Sequence, residues 1–445
     1  MHGWLVLGST GDRSRLDVSL DDGFTESAIA VISKVKDRIR RCSAYTYAYK
    51  VKQALGASRR RVALRTPHVA RGRVLLSYVL DPFLLRQGQG VPYSHTNFWE
   101  SYQIAQTCLE LGFDVDAISY RNESFVPKND YSLMIDARKN LERLAYVVGN
   151  DCIKVMHIDT SHTLFHNAGE ATRLLALQRR RGVTLQPRRF ETPNLAIEHA
   201  DCATMLGNEY TGRTFQYAKK PIYRIPISTP SLYPWPHEKD FGACRRNFVW
   251  FGSGGLVHKG LDLVLEAFSE MPDVRLTVCG PVSAEPDFEQ AYYKELYQSE
   301  NISTVGWVDV RSPKFIGVLN NSVGLVYPSC SEGQCGSVVS CLHGGLIPLI
   351  TRESGVDADD FGFYLQDCSV DTIKDSVKQV TSLSTRDLEQ RAREAWEFAR
   401  AHHTRESFAA AYRDALQKIL SQGRREGTVL GQDDVPNAPR CVASQ

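Results

Sequence analysis

No apolar stretch in this 445-residue chain approaches the ~20 residues that a helix needs to cross a bilayer. The N-terminal run Trp4–Gly8 (WLVLG) is too short for the apolar part of a secretory signal. The chain is therefore expected neither to span a membrane as a helix nor to be exported by that route. Its 11 cysteines form no C-x-x-C pair, and several stand inside apolar runs, such as Cys108 in IAQTCLELG and Cys279 in LTVCG. They read as buried thiols of a reducing, cytoplasmic compartment. Net charge is nearly absent at +2, but the average conceals a basic run from Lys34 to Arg73 in which Asp37 is the only acid. The dinucleotide fingerprint is also lacking. After Gly252 and Gly254 it requires a glycine where Val257 stands, and no acid ends the next strand, VRLTVCG. A nicotinamide-dependent dehydrogenase is excluded on that spacing.

What is present is the composition of a folded protein, 42% apolar, 23% charged and 10% aromatic. The length exceeds what one hydrophobic core usually serves, so two domains of roughly 200 residues are expected. Residues 1–72 show no strand repeat and read as a basic N-terminal extension. Within it, Ala44–Arg61 mixes Tyr, Ala and Leu with Lys and Arg. That is the make-up of a helix lying on anionic lipid, and equally that of a solvated basic arm. Contact with the inner face of a membrane is thus open, while no nucleic-acid partner is expected.

From Arg73 the pattern becomes strand, loop, helix. RVLLSYVL, FDVDAISY, YSLMID, CIKVMHID, DCATML and KPIYRIPI read as strands, and FWESYQIAQTCLELG as an amphipathic helix. This predicts a doubly wound parallel sheet over 73–228. Residues 229–246, broken by Pro230, Pro234 and Pro236, read as a linker without a regular element. A second Rossmann-like domain with C-terminal helices is expected over 247–421, and a disordered tail over 422–445. Asp114 and Asp116 (DVD) have the spacing of a metal-binding pair but read as ordinary strand acids.

Ligands of open α/β sheets bind beyond the carboxyl ends of the strands. There, Tyr327–Thr351 (YPSCSEGQCGSVVSCLHGGLIPLIT) ends a strand, presents Glu332, and uses Gly333 and Gly336 to bring backbone close to a ligand before a helix begins. The helix N-terminus over Gln334, Cys335, Gly336 and Ser337 suits a diphosphate, and Glu332 suits sugar hydroxyls.

This segment resembles the retaining GT-B glycosyltransferases of the "glycosyl transferases group 1" (family 4) type. In them a strand is followed by E-G-x-G, a helix and G-x-P-[LIV]-[LIV]-[ST]. FVWFGSGGLVHKGLDLVLEAF is similar to the same family's GR…KG segment, with Lys259 matching its diphosphate lysine. The resemblance covers Asn247 to about Leu365 well and the first domain loosely.

It implies an α/β, GT-B fold: two Rossmann-like domains facing across a cleft. It also implies a nucleotide-sugar as donor substrate, no cofactor and no metal, and a glycan or lipid-linked acceptor. Lys259, Gly252, Gly254 and His258 would lie on the donor side. His162, beyond the strand that carries His157, would face the acceptor, with Gly90 and Asn97 from the Gly-rich loop and the helix after it. The sequence departs from the family at Ser340, where a second Glu is usual, and at Ser253, where an Arg is usual. A binding module that has lost turnover is the alternative. The arginines Arg179, Arg180, Arg181, Arg188 and Arg189 would suit an anionic acceptor, or else a solvated helix end.

Overall fold

Short apolar runs cut by turn residues become strands buried on both faces, as parallel sheets require. In β2 (Arg73–Tyr78), Val74, Leu75 and Leu76 are each 1% exposed or less. The computed structural model describes residues 60–85, 90–91 and 95–429, with side chains through Gln422. The basic arm up to residue 59, loop residues 86–89 and 92–94, and the tail from 430 lie outside the described residues.

The first sheet has seven strands in the order β1-β3-β2-β4-β5-β6-β7. Besides β2 it contains β1 (Arg61–Leu64), β3 (Asp114–Ser119), β4 (Leu133–Asp136), β5 (Ile153–Ile158), β6 (Cys202–Leu206) and β7 (Ile222–Ile225). The second has six, ordered β10-β9-β8-β11-β12-β13. They are β8 (Asn247–Phe251), β9 (Arg275–Cys279), β10 (Ile302–Gly306), β11 (Gly324–Tyr327), β12 (Ile347–Ile350) and β13 (Phe363–Tyr364). Every pairing is parallel except β1 with β3. The longer helices are α1 (Thr96–Glu110), α2 (Thr163–Arg181), α3 (Leu261–Ser269), α4 (Pro313–Asn320), α5 (Gly336–His343), α6 (Val370–Ser382), α7 (Thr385–His402) and α8 (Arg405–Val429). This is the expected pair of Rossmann-like domains.

Three boundaries differ from the sequence reading. β1 lies inside the stretch read as extension, and it adds an antiparallel edge to the first sheet. Its four residues alternate between exposed and half-buried, so the strand is hidden within a basic run. Its charges meet β3: Arg65 donates to Asp114 at 2.7 Å, while Asp116 accepts from Tyr131 at 2.8 Å and pairs with Arg61 at 3.4 Å and Arg73 at 3.6 Å. The DVD acids are thus anchors of the sheet edge.

The linker is not free of regular structure either. After its prolines, Asp240 caps a single turn, Phe241–Cys244, by accepting from the N–H groups of Gly242 and Ala243. Trp235 within it is buried, stacks on Phe241 and meets Trp396 edge-on.

At the other end, the helix expected to stop before 422 runs to Val429, and it leaves the second domain. Phe408, Tyr412, Ala415, Leu416 and Ile419 form its buried stripe at helical spacing. They lie against the first domain: Phe408 meets Trp99 of α1 edge-on at 5.7 Å, and Tyr412 meets His157 of β5 at 5.7 Å.

Candidate functional site

In the second sheet the strand order reverses between β8 and β11, which opens a crevice at their carboxyl ends. Lys259 follows β8 and Glu332 follows β11, and their side chains form an ion pair there. Lys259 is 4% exposed and Glu332 9%. Tyr327 and Ser329 also donate to Glu332 Oε1, at 3.2 and 3.3 Å. Burial alone would raise the Glu332 carboxyl, but the charges of Lys259, Arg189 and His258 outweigh it and bring it down to about 2. An ionised carboxylate and an ammonium are therefore held side by side in a protein-lined crevice.

The loop after β8 is fixed from both sides. Lys259 lies over the Tyr327 ring at 5.7 Å, and its carbonyl accepts from the Trp250 indole at 3.1 Å. Gly252 leaves room for the lysine stem, since a Cβ there would meet Trp250 and come within 3.3 Å of Lys259 Cδ. Gly254 lies beside Glu285, whose carboxylate accepts from the N–H groups of Gly255 and Leu256. Gly255 adopts φ +87°, and a Cβ on it would lie 2.5 Å from Arg189 Cγ.

The first domain closes the crevice through α2 and the segment after it. His258 is buried between domains. Its Nδ1 faces Glu170 Oε2 at 2.7 Å, and its Nε2 bonds to the Ser331 carbonyl. Glu170 Oε1 accepts from the N–H groups of Arg188 and Arg189 at 2.7 and 3.0 Å. His166 lies tilted against His258 with ring centroids 4.6 Å apart, and takes Ser331 Oγ on Nδ1 and the Arg189 carbonyl on Nε2. Burial, helped by the charge of His258, pushes the His166 imidazole down to about 4.

Several expected donor residues serve the protein itself. Gly333 does admit a close backbone approach, but the visitor is the first domain: a Cβ on it would overlap the Asp159 carbonyl. Thr211 donates to the Gly333 carbonyl at 3.1 Å and Ser161 to that of Glu332 at 2.7 Å. Gln334 Oε1 accepts from Ile227 N–H at 2.7 Å, and the Cys335 N–H bonds to the Ser354 carbonyl. Ser340, in the place of the second Glu, turns its hydroxyl back onto the Gly336 carbonyl at 2.8 Å. Gly336 and Ser337 remain half-buried at the start of α5, a terminus with no side-chain cap.

Of the residues expected on the acceptor side, His162 is the N-cap of α2 and lines a small pocket with Arg138, Asp159, Thr160 and Asn194. Its Nε2 meets Tyr217 Oη at 3.1 Å. His157 does not reach the cleft. It is fully buried on β5, bonded to Thr204 Oγ1 at 2.9 Å, and burial pushes it down to about 3. Asn97 sits in the first turn of α1 with its Oδ1 buried and without a hydrogen-bond partner among the described residues. Gly90 is exposed.

Three of the clustered arginines are engaged by the second domain rather than left for an anionic acceptor. Arg180 pairs with Asp262 and Glu266, Arg181 with Glu295, and Arg188 with Asp287. Asp159, Glu170 and Glu285 escape the sequence reading. The only signal for Glu170 is its position one helical turn after His166.

Two parallel doubly wound sheets, facing each other across switch-point loops and rejoined by a returning final helix, decide the architecture. The fold is GT-B. Among solved structures, sucrose-phosphate synthase from Thermosynechococcus elongatus superposes with a TM-score of 0.55 at 14% identity, over 79% of this chain and 99% of that one. α,α-Trehalose 6-phosphate synthase from Burkholderia multivorans gives 0.53 at 10% identity, over 83% and 100%. A glycosyltransferase from Rickettsia africae gives 0.52 at 11% identity, over 79% and 99%. These likenesses are of fold. No protein-family model matches the sequence, and no curated protein matches it. Within the GT-B frame, Lys259 and Glu332 occupy the second domain's switch point, and in the first domain Arg138 pairs at 2.6 Å with Asp159, which directly follows β5.

Proposed function

We propose that this chain is a glycosyltransferase that moves a sugar, a hexose by preference, from a nucleotide-sugar to a glycan or lipid-linked acceptor. The observation that carries the reading is the buried Lys259–Glu332 pair at the switch point between β8 and β11. On donor binding, Lys259 turns to the diphosphate and Glu332 accepts from hydroxyls of the sugar. The bond between the anomeric carbon and the diphosphate oxygen breaks as the acceptor oxygen attacks, and the acceptor proton passes to the leaving phosphate. Configuration at the anomeric carbon is retained. Charge on the leaving group is met by Lys259 and the start of α5, so the scheme requires no metal. The basic segment before residue 60 supplies contact with an anionic membrane surface, where a lipid-linked acceptor would be presented.

Calorimetry with a panel of nucleotide-sugars, followed by release of nucleoside diphosphate with and without EDTA, tests this. Glu332→Ala and Lys259→Ala should each lower turnover by about 10²-fold or more. The second reading, a binding module, draws on the backbone closure at Gly333 and the carboxylate of Glu285 on the Gly255 loop. Binding without turnover in the presence of candidate acceptors would favour it, and no binding to any nucleotide-sugar would defeat both readings.

A further inference from the structure

The donor loop after β8 carries Ser253 where the resembled family carries arginine, so the diphosphate lacks one cation from its own domain. The first domain brings an arginine to the same place. Arg189 follows α2 in a segment fixed by its own N–H on Glu170 Oε1 at 3.0 Å and by its carbonyl on His166. Its stem lies across Gly255: a Cβ on that glycine would come within 2.5 Å of Arg189 Cγ and 2.7 Å of Cδ, at a φ of +87°. Glycine at 255 is therefore what lets the arginine lie over the loop.

Gly255 is also tied to the lysine: its carbonyl accepts from the Lys259 N–H at 3.0 Å, so the arginine stem lies over the loop that carries Lys259. The Arg189 charge acts on Glu332 and Asp159, opposing at both carboxyls the rise that burial imposes, and on His95. Arg180, Arg181 and Arg188 are each held in an ion pair. Arg189 differs: its Nε is buried and has no hydrogen-bond partner among the described residues. A buried, unsatisfied guanidinium N–H beside a lysine and a Gly-rich loop is matched by phosphate oxygens, which accept from arginine with fork geometry.

We infer that Arg189, reaching across the cleft from the first domain, is the second cation of the diphosphate site and takes the place left by Ser253. The inference rests on the donor-site reading above. It adds that the diphosphate site is complete only when the two domains are together, because one of its two cations belongs to each.

The test is calorimetry on the full chain with UDP, GDP, ADP and inorganic pyrophosphate, each nucleotide compared with its own nucleoside. Arg189→Gln keeps much of the stem over Gly255 and removes the charge. Arg189→Ala removes both, and melting curves report whether each variant folds. Both variants should weaken nucleoside diphosphate binding about tenfold or more and leave nucleoside binding unchanged. Ser253→Arg, at an exposed position, should restore diphosphate binding in the Arg189→Gln background. Arg179→Ala, at an exposed helix end, should change nothing.

If the unaltered protein binds a nucleoside diphosphate and Arg189→Gln binds it equally well, the inference alone fails. Equal losses for nucleoside and diphosphate would also overturn it, since they assign Arg189 a purely structural part. Failure of Ser253→Arg to restore any binding would overturn the equivalence of the two positions. If the unaltered protein binds no member of the panel, the donor-site reading and this inference fail together.

Discussion

Lys259 and Glu332 hold each other in a crevice where neither has enough water to stand alone, so each single substitution should cost more than removal of both. Lys259→Met or Glu332→Gln is expected to lower stability by about 3–5 kcal/mol, because it strands a buried partner. The double variant should be nearer the original in urea unfolding. Acid acts on the same pair. The Glu332 carboxyl is brought down to about 2 from an ordinary 4.5. Its contribution is therefore fully present above about pH 4.5 and is lost as pH falls toward 2.

Glu100 behaves in the opposite sense. Burial raises it to about 7, against hydrogen bonds from Ser228 that lower it. The native state then holds a proton that the unfolded chain releases, so this group's contribution falls as pH rises from about 4.5 to 7. Glu100→Gln should stabilise the protein at pH 8 and make little difference at pH 4.5, as measured by urea midpoints at the two values. Glu332 was legible at this scale, because its motif is contiguous in sequence. Arg189 was visible only as one of five clustered arginines, since what distinguishes it is the empty face of Gly255, 66 residues further along the chain.

Apart from β1 and the two-residue β13, the strands of both sheets were legible as elements because each is a short apolar run ended by a turn residue. β1 was not: four residues of which the outer two are arginine and leucine, embedded in a basic stretch, carry too little pattern to stand out from it. The last helix was legible as a helix but not in its destination. A stripe at positions 408, 412, 415, 416 and 419 says that one face is buried and not against which domain. Phe408, buried against Trp99 and Tyr412, gives the test. Phe408→Ala should cost about 3–5 kcal/mol. Hydrogen exchange should quicken in α1 and α8 of the first domain, and not in α7 of the second. The glycine at 333 taught a related lesson. It was read as room for a ligand's close approach, whereas the group that stands against it is the Asp159 carbonyl.

Across the whole molecule, α2 and the segment after it fasten the two sheets, with Arg180, Arg181 and Arg188 on acids of the second domain. Partly exposed ion pairs are weakened by salt. Arg181→Ala combined with Arg188→Ala should therefore widen the cleft, with a larger radius of gyration in X-ray scattering and faster exchange over residues 186–191, while the melting of each sheet changes little. An unchanged scattering profile would mean that the backbone contact at Gly333 holds the closure by itself.

The chain crosses between the two domains twice, once after β7 and once between α7 and α8. At those crossings the His403 imidazole meets the Ile227 carbonyl at 3.3 Å, and the His403 carbonyl accepts from His343 of α5 at 2.9 Å. Two tethers that touch behave like a door hung on adjacent pins: swinging about one axis is cheap, while twisting or sliding would tear the contact between them. Any opening of the cleft would thereby be confined to a single arc, and Arg189 and Lys259, which stand on opposite leaves of that door, would separate and meet again along the same path.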